Sequence, residues 1–143
     1  MAIQYFEETV NAQLKQRRSL NTFLKTLVVT HLPNVKKIDV SYIFCTDAYL
    51  LQINQDFLQH DTFTDIITFD LSENDNHLVA EIYVSVDRIQ ENASKFEVSY
   101  QRELHRVIFH GMLHLCGFKD KSKKDAALMR SMEDASLATY FLK

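Results

Sequence analysis

His110-Gly111-Met112-Leu113-His114-Leu115-Cys116-Gly117-Phe118-Lys119-Asp120 holds both glycines of a 143-residue chain. A glycine inside a helix costs up to about 1 kcal/mol relative to alanine, so one beside a histidine calls for a reason. The two histidines stand four apart and share one face of a helix, in a row that continues upstream through Arg106 and Arg102. Gly111 removes a side chain beside the first histidine, which would let another backbone or a substrate come close. Gly117 permits the left-handed turn that ends many helices, and Asp120, three residues on, can then fold back. Two imidazoles and a carboxylate converging on one point form a divalent-ion site with a free coordination position. The alternative is a structural helix that buries its histidines. The spacing also agrees with the metalloprotease signature His-Glu-x-x-His, but Gly111 stands where that signature needs its general-base glutamate.

Around this run the chain alternates between β-rich and helix-periodic segments. Ala2 to Glu7 reads as a short edge strand. Ser19 to His31 reads as a helix, with Leu20, Phe23, Leu24, Leu27 and Val28 on one face and Pro33 just beyond its end. Lys37 to Cys45 alternates Ile38, Val40, Tyr42 and Phe44 against Asp39 and Ser41, the pattern of a half-buried strand. Asp47 is expected to cap a helix running to about Gln59. Asp65 to Leu71 and Leu78 to Ser85 are more continuously apolar and suit central strands, joined through polar residues 72–77. Val86 to Phe96 reads as helix. Ser99 caps the helix that carries the histidines, and Ser122 a last helix through Leu142. The sum is one α+β domain spanning residues 1–143: a small mixed sheet packed with helices, the metal-site helix central. Strand order is not readable from the pattern.

Composition narrows the class. Hydrophobic residues make up 46% and aromatics 11%, enough for a packed core. No run of about 20 apolar residues occurs, so no membrane span is expected. The start of the chain lacks an apolar secretory stretch, and a cytoplasmic protein is expected. Cys45 and Cys116 lie among apolar residues and read as reduced. A net charge of -3 does not mark a nucleic-acid binder. The distribution says more: from Asp56 to Glu91 the only basic residue is Arg88, whereas Lys119, Lys121, Lys123 and Lys124 cluster beside the proposed metal site.

The run from His110 to Asp120 resembles the signature of the YbeY endoribonucleases, His-Gly-x-Leu-His-Leu-x-Gly-[Tyr or Phe]-Asp-His. His110, Gly111, Leu113, His114, Leu115, Gly117 and Phe118 match in type and spacing. Upstream, Asn54 and Phe57 are similar to the family's Asn-x-x-[Tyr or Phe]. Thr64-Asp65-Ile66-Ile67-Thr68-Phe69 resembles Thr-Asp-Val-Leu-Ser-Phe, and Ala80-Glu81-Ile82-Tyr83-Val84-Ser85 stands at Gly-Asp-Ile-x-Ile-Ser. Three positions depart from the pattern. Asp120 replaces the third histidine ligand, with Lys119 at the usual aspartate. Leu58 occupies the place of an arginine, which leaves His60 as the nearest cation. Glu81 replaces an aspartate.

The resemblance implies a metal-dependent endoribonuclease specific for single-stranded RNA, acting on precursor ribosomal RNA of the small subunit in ribosome biogenesis; DNA is not an expected substrate. His110, His114 and Asp120 would hold one Zn²⁺, since two imidazoles and a carboxylate suit zinc, although another first-row ion fits the same donors. Catalysis would then run through water activated at that ion. Glu81 is a candidate general base, a solvent-facing strand carboxylate being the duller alternative. Lys119, Lys121, Arg106 and His60 are candidate phosphate contacts, with an Arg106–Glu103 ion pair the competing assignment. Two other functions stay open: a metalloprotease-like hydrolase, and a non-catalytic ribosome-assembly factor with a structural metal.

Overall fold

The computed structural model describes residues 2–58 and 64–142. The elements follow in the order β1 (Ala2–Glu7), α1 (Arg17–His31), β2 (Lys37–Cys45), α2 (Asp47–Leu58), β3 (Ile66–Asp70), β4 (His77–Ser85), α3 (Val86–Lys95), α4 (Tyr100–Leu115) and α5 (Lys123–Tyr140). The strands form one mixed sheet in the order β1-β2-β4-β3. β1 and β4 both run parallel to β2, and β3 is antiparallel to β4. The α+β expectation therefore holds.

The period of two along β2 and β4 decides what each face of the sheet does. Register sets Ile38 beside Leu78, Val40 beside Ala80, Tyr42 beside Ile82 and Phe44 beside Val84, and all eight are buried. Fully burying such a side chain stabilises the fold by about 1.5–3 kcal/mol relative to exposure. Leu20, Leu24 and Val28 of α1, Ile89 of α3, and Leu104, Ile108 and Met112 of α4 complete this core. A smaller cluster forms on the other face, where Leu50 and Ile53 of α2 meet Cys45 and Ile67.

α4 is the central helix, in contact with α1, α3, α5 and β3. The Tyr42 hydroxyl donates to the Ile108 carbonyl at 2.9 Å, a buried tie between sheet and helix. Gly111 is where the helix comes closest. A Cβ there would lie 2.9 Å from Ile66 Cδ1 and 3.1 Å from Ile82 Cγ2. The close approach that this glycine allows is thus of sheet side chains, neither a backbone nor a substrate.

Two further expectations change. β3 is an edge strand, not a central one, because β4 takes the place beside β2. α2 is capped by Thr46, whose hydroxyl accepts from the Tyr49 N–H at 3.1 Å, one residue ahead of Asp47. Both cysteines are free, and burial pushes each thiol up to about 12, so they stay protonated. Among the described residues, no helix is long and apolar enough to cross a membrane.

Candidate metal centre

Ser99 opens α4 by accepting the Arg102 N–H at 3.1 Å. The helix then carries His110 and His114 on one face, their ring centroids 4.8 Å apart. Its end is closed by a pair of backbone bonds. The Gly117 N–H donates to His114 and the Phe118 N–H to Leu113, both at 3.0 Å. Gly117 has φ +103, a conformation that L side chains rarely adopt, and this reverses the chain. Phe118 packs edge-on against His31, 5.0 Å between centroids.

The reversal brings Asp120 back over the helix. Its Oδ2 lies 3.3 Å from His110 Nε2 and 3.4 Å from His114 Nε2. The three donor atoms lie within 4.8 Å of one another. His110 is the most enclosed, its side chain 14% exposed against 32% for His114 and 39% for Asp120. Two imidazole nitrogens and one carboxylate oxygen around a common point, open to solvent on the remaining side, fit a divalent first-row ion with a vacant position. The donor trio read from the spacing is therefore assembled here.

Behind it lies a network of which the spacing offered only the Arg106–Glu103 pair. Arg106, one turn before His110, grips Glu103 with two parallel bonds, Nε to Oε1 at 2.9 Å and Nη2 to Oε2 at 2.7 Å. Its Nη1 donates to Glu133 Oε1 at 3.1 Å, and Asp65 stands 3.6 Å from Nη2. Burial works against the guanidinium charge, but Glu103 and Glu133 more than restore it and raise the Arg106 pKa. Of the two assignments for Arg106, the structure shows the carboxylate one: its guanidinium is held by Glu103 and Glu133, not offered to the cleft wall. The second Glu133 oxygen, Oε2, lies 2.5 Å from His110 Nδ1. Burial alone would raise the Glu133 carboxyl; the His110 hydrogen bond and Arg106 bring it below its ordinary value. For Asp65 the balance goes the other way, and desolvation holds its carboxyl up despite Arg106 and His110. Glu133 lies 23 residues beyond His110 in a helix with no motif, so nothing local in the sequence pointed to it.

A cleft of about 680 Å³ opens over the trio, with Asn54, Asp65, Asp70 and Lys121 on its walls. Lys121 therefore reaches the site, whereas exposed Lys119 is not part of the wall. Leu58 lines the cleft, so an apolar group stands where the resemblance implies an arginine. His60 lies outside the described residues. Glu81 is not brought to the site. It alternates with Ala80 and Ile82, which face α4, and so projects from the opposite face of the sheet, where the Tyr83 hydroxyl donates to it at 3.2 Å. Period-two geometry turns it away from the cleft; among the described residues the cleft-wall carboxylates beyond the trio are Asp65 and Asp70.

Comparison with known proteins agrees with this architecture. The family described as Endoribonuclease YbeY matches residues 3–140. A curated Endoribonuclease YbeY from Cytophaga hutchinsonii is 46% identical over 134 residues, covering 94% of this chain and 92% of that protein. One from Flavobacterium psychrophilum is 41% identical over 138 residues, covering 96% of each. A solution structure from Thermotoga maritima superposes with a TM-score of 0.60 over 98% of this chain and 89% of that one; at 24% identity it supports the fold alone. With the sequence matched almost end to end and a His-His-Asp trio at the mouth of a cleft, this chain belongs to the endoribonuclease YbeY family.

Proposed function

We propose that this endoribonuclease cleaves single-stranded RNA, with precursor ribosomal RNA of the small subunit as its substrate during ribosome biogenesis in the cytoplasm, and that it works as a single domain with one Zn²⁺ held by His110, His114 and Asp120. The observation that carries the metal part is the convergence of the three donor atoms within 4.8 Å. When bound there, the ion would supply Lewis-acid chemistry, lowering the pKa of water and polarising a phosphoryl oxygen.

The chain's own residues set the rest. The rigid helix α4 fixes two donors, and the turn at Gly117 delivers the third. Asp120 adds a negative charge that a histidine would not, which tempers the acidity of the ion and weakens attraction for phosphate. Lys121 on the wall offsets part of that by drawing the RNA backbone toward the trio. Leu58 offers no charge but presents an apolar surface, 41% exposed, beside the cleft.

The metalloprotease alternative loses ground on one contact. Its glutamate would have to stand at position 111, where even a Cβ meets Ile66 and Ile82 at 2.9 and 3.1 Å. The deciding experiment offers the zinc-loaded protein single-stranded RNA, duplex RNA, single-stranded DNA and an unstructured peptide in parallel. Cleavage of single-stranded RNA alone, lost in a folded His114→Ala variant, supports the proposal. Cleavage of the peptide, or RNA cleavage that survives His114→Ala, refutes it.

A further inference from the structure

We propose that Glu133 is the positioning residue for His110: its carboxylate takes the Nδ1 hydrogen and so turns the bare Nε2 toward His114 and Asp120. This rests on the metal reading above and adds a residue to it.

A neutral imidazole carries one N–H, and the neighbour of one nitrogen decides the state of the other. An ionised carboxylate only accepts, so the nitrogen facing it bears the hydrogen. Glu133 Oε2 stands 2.5 Å from His110 Nδ1, within direct hydrogen-bond contact. Asp120 Oδ2, 3.3 Å from Nε2, competes for the single hydrogen, but it is farther away and 39% exposed, whereas Glu133 is closer and 3% exposed; the hydrogen goes to Nδ1 and Nε2 keeps its lone pair.

Glu133 is also held still. Its side chain is 3% exposed, and its other oxygen accepts from Arg106 at 3.1 Å. Arg106 is anchored in turn by the two parallel bonds to Glu103. Met129 and Leu137, one turn to either side of Glu133 on α5, are buried and fix that helix. The chain Glu103–Arg106–Glu133–His110 therefore sets both the rotation and the tautomer of one ring from residues that never enter the cleft. His114 differs: among the described residues its one polar side-chain partner is Asp120. His110 is the preset donor of the pair and His114 the adaptable one.

The test uses the full chain without metal and with zinc. Nitrogen-15 spectra of the metal-free protein identify the tautomer of each histidine ring, and competition with a chromophoric chelator gives the zinc dissociation constant. In wild type His110 is expected in the Nδ1–H form. Glu133→Met, which removes the acceptor, is expected to shift His110 toward the Nε2–H form and to weaken zinc binding about 10–100-fold. Glu133→Gln keeps an acceptor oxygen and is expected to recover most of the Nδ1–H population. A purely structural ion pair would lower the unfolding midpoint of both variants and leave tautomer and zinc affinity as in wild type. That result, or an Nε2–H ring in wild type, overturns the proposal. Should Glu133→Met fail to fold, the wild-type spectrum still decides it: an Nδ1–H ring supports the proposal and an Nε2–H ring overturns it. A wild-type chain that takes up no zinc would refute the metal reading, whereas the tautomer measured in the same sample would separately judge Glu133.

Discussion

Gly111 touches the two isoleucines that seat α4 on the sheet, and its replacement sets two effects against each other. Alanine gains up to about 1 kcal/mol in helix propensity over glycine. Its Cβ would meet Ile66 Cδ1 at 2.9 Å, a flexible chain end, but also Ile82 Cγ2 at 3.1 Å, on a β-branched and fully buried side chain. Overpacking of this kind typically costs about 1–3 kcal/mol. Overpacking wins, and Gly111→Ala is expected to lower stability by about 1 kcal/mol, read from the urea midpoint at unchanged m-value. A variant as stable as wild type would show that Ile82 has room to move. The same residue teaches a limit of local reading. A glycine beside a histidine was visible as a signal for close approach, but which groups approach depends on two strands that come much earlier in the chain, β3 with Ile66 and β4 with Ile82.

The packing of α5 on α4 depends on buried charge, and two predictions belong there. Removing Arg106 leaves Glu103 without its cation and Glu133 with only the exposed Arg130, 3.9 Å away, although each glutamate is 3% exposed at the side chain. Breaking a buried ion pair from one side costs about 3–5 kcal/mol, so Arg106→Ala is expected to lose stability on that order in urea denaturation. A loss under about 1 kcal/mol, the range of surface pairs, would mean that water reaches the cluster. His105 sits at the other end of this interface, against Tyr140 and Phe141, with Nδ1 on the Gln101 carbonyl and Nε2 buried without a partner among the described residues. Burial holds its pKa below the ordinary value. Above about pH 6.5 both folded and unfolded chains carry it neutral, and it adds no pH dependence. Below that, the unfolded chain takes up the proton first, so stability falls with pH until the folded pKa is passed, by at most about 1.4 kcal/mol per pH unit. His105→Phe should flatten that slope between pH 6.5 and 5, as measured by thermal denaturation. An unaltered slope would assign the acid sensitivity to other groups.

For the molecule as a whole the predictions concern what the cleft attracts. Zinc that binds the folded chain alone stabilises it by about 2.7 kcal/mol at a hundredfold excess over the dissociation constant. The melting temperature should rise on adding zinc and fall back with a chelator. His114→Ala should abolish the response; a response kept in that variant would place the ion elsewhere. RNA affinity should depend only weakly on salt. Lys121 is the single lysine or arginine lining the cleft among the described residues, and the chain carries a net charge of -3. Each phosphate neutralised on a single strand contributes about -0.7 to the slope of log K against log salt, so a slope of about -1 to -2 is expected. Lys121→Ala should remove about one phosphate contact from it. A slope steeper than about -4 would reveal a cationic surface beyond the cleft.

Local chemistry determined a good deal of this protein. The period-two alternation of Ile38, Val40, Tyr42 and Phe44 marked β2, and the serines at 99 and 122 marked the starts of α4 and α5. The four-residue spacing of His110 and His114, with Gly117 and Asp120 after them, defined the donor trio, because helix geometry and the glycine turn act within one or two turns of chain. Tertiary structure alone decided that β3 is the edge strand, that Glu81 turns away from α4, and that Arg106 is taken up by carboxylates. It alone brought Glu133 to His110 across a helix–helix contact. The physical reason is range. Propensity, capping and periodicity act between near neighbours, whereas strand order, the burial of charge and the partner of a ring nitrogen are settled by which surfaces the whole chain presses together.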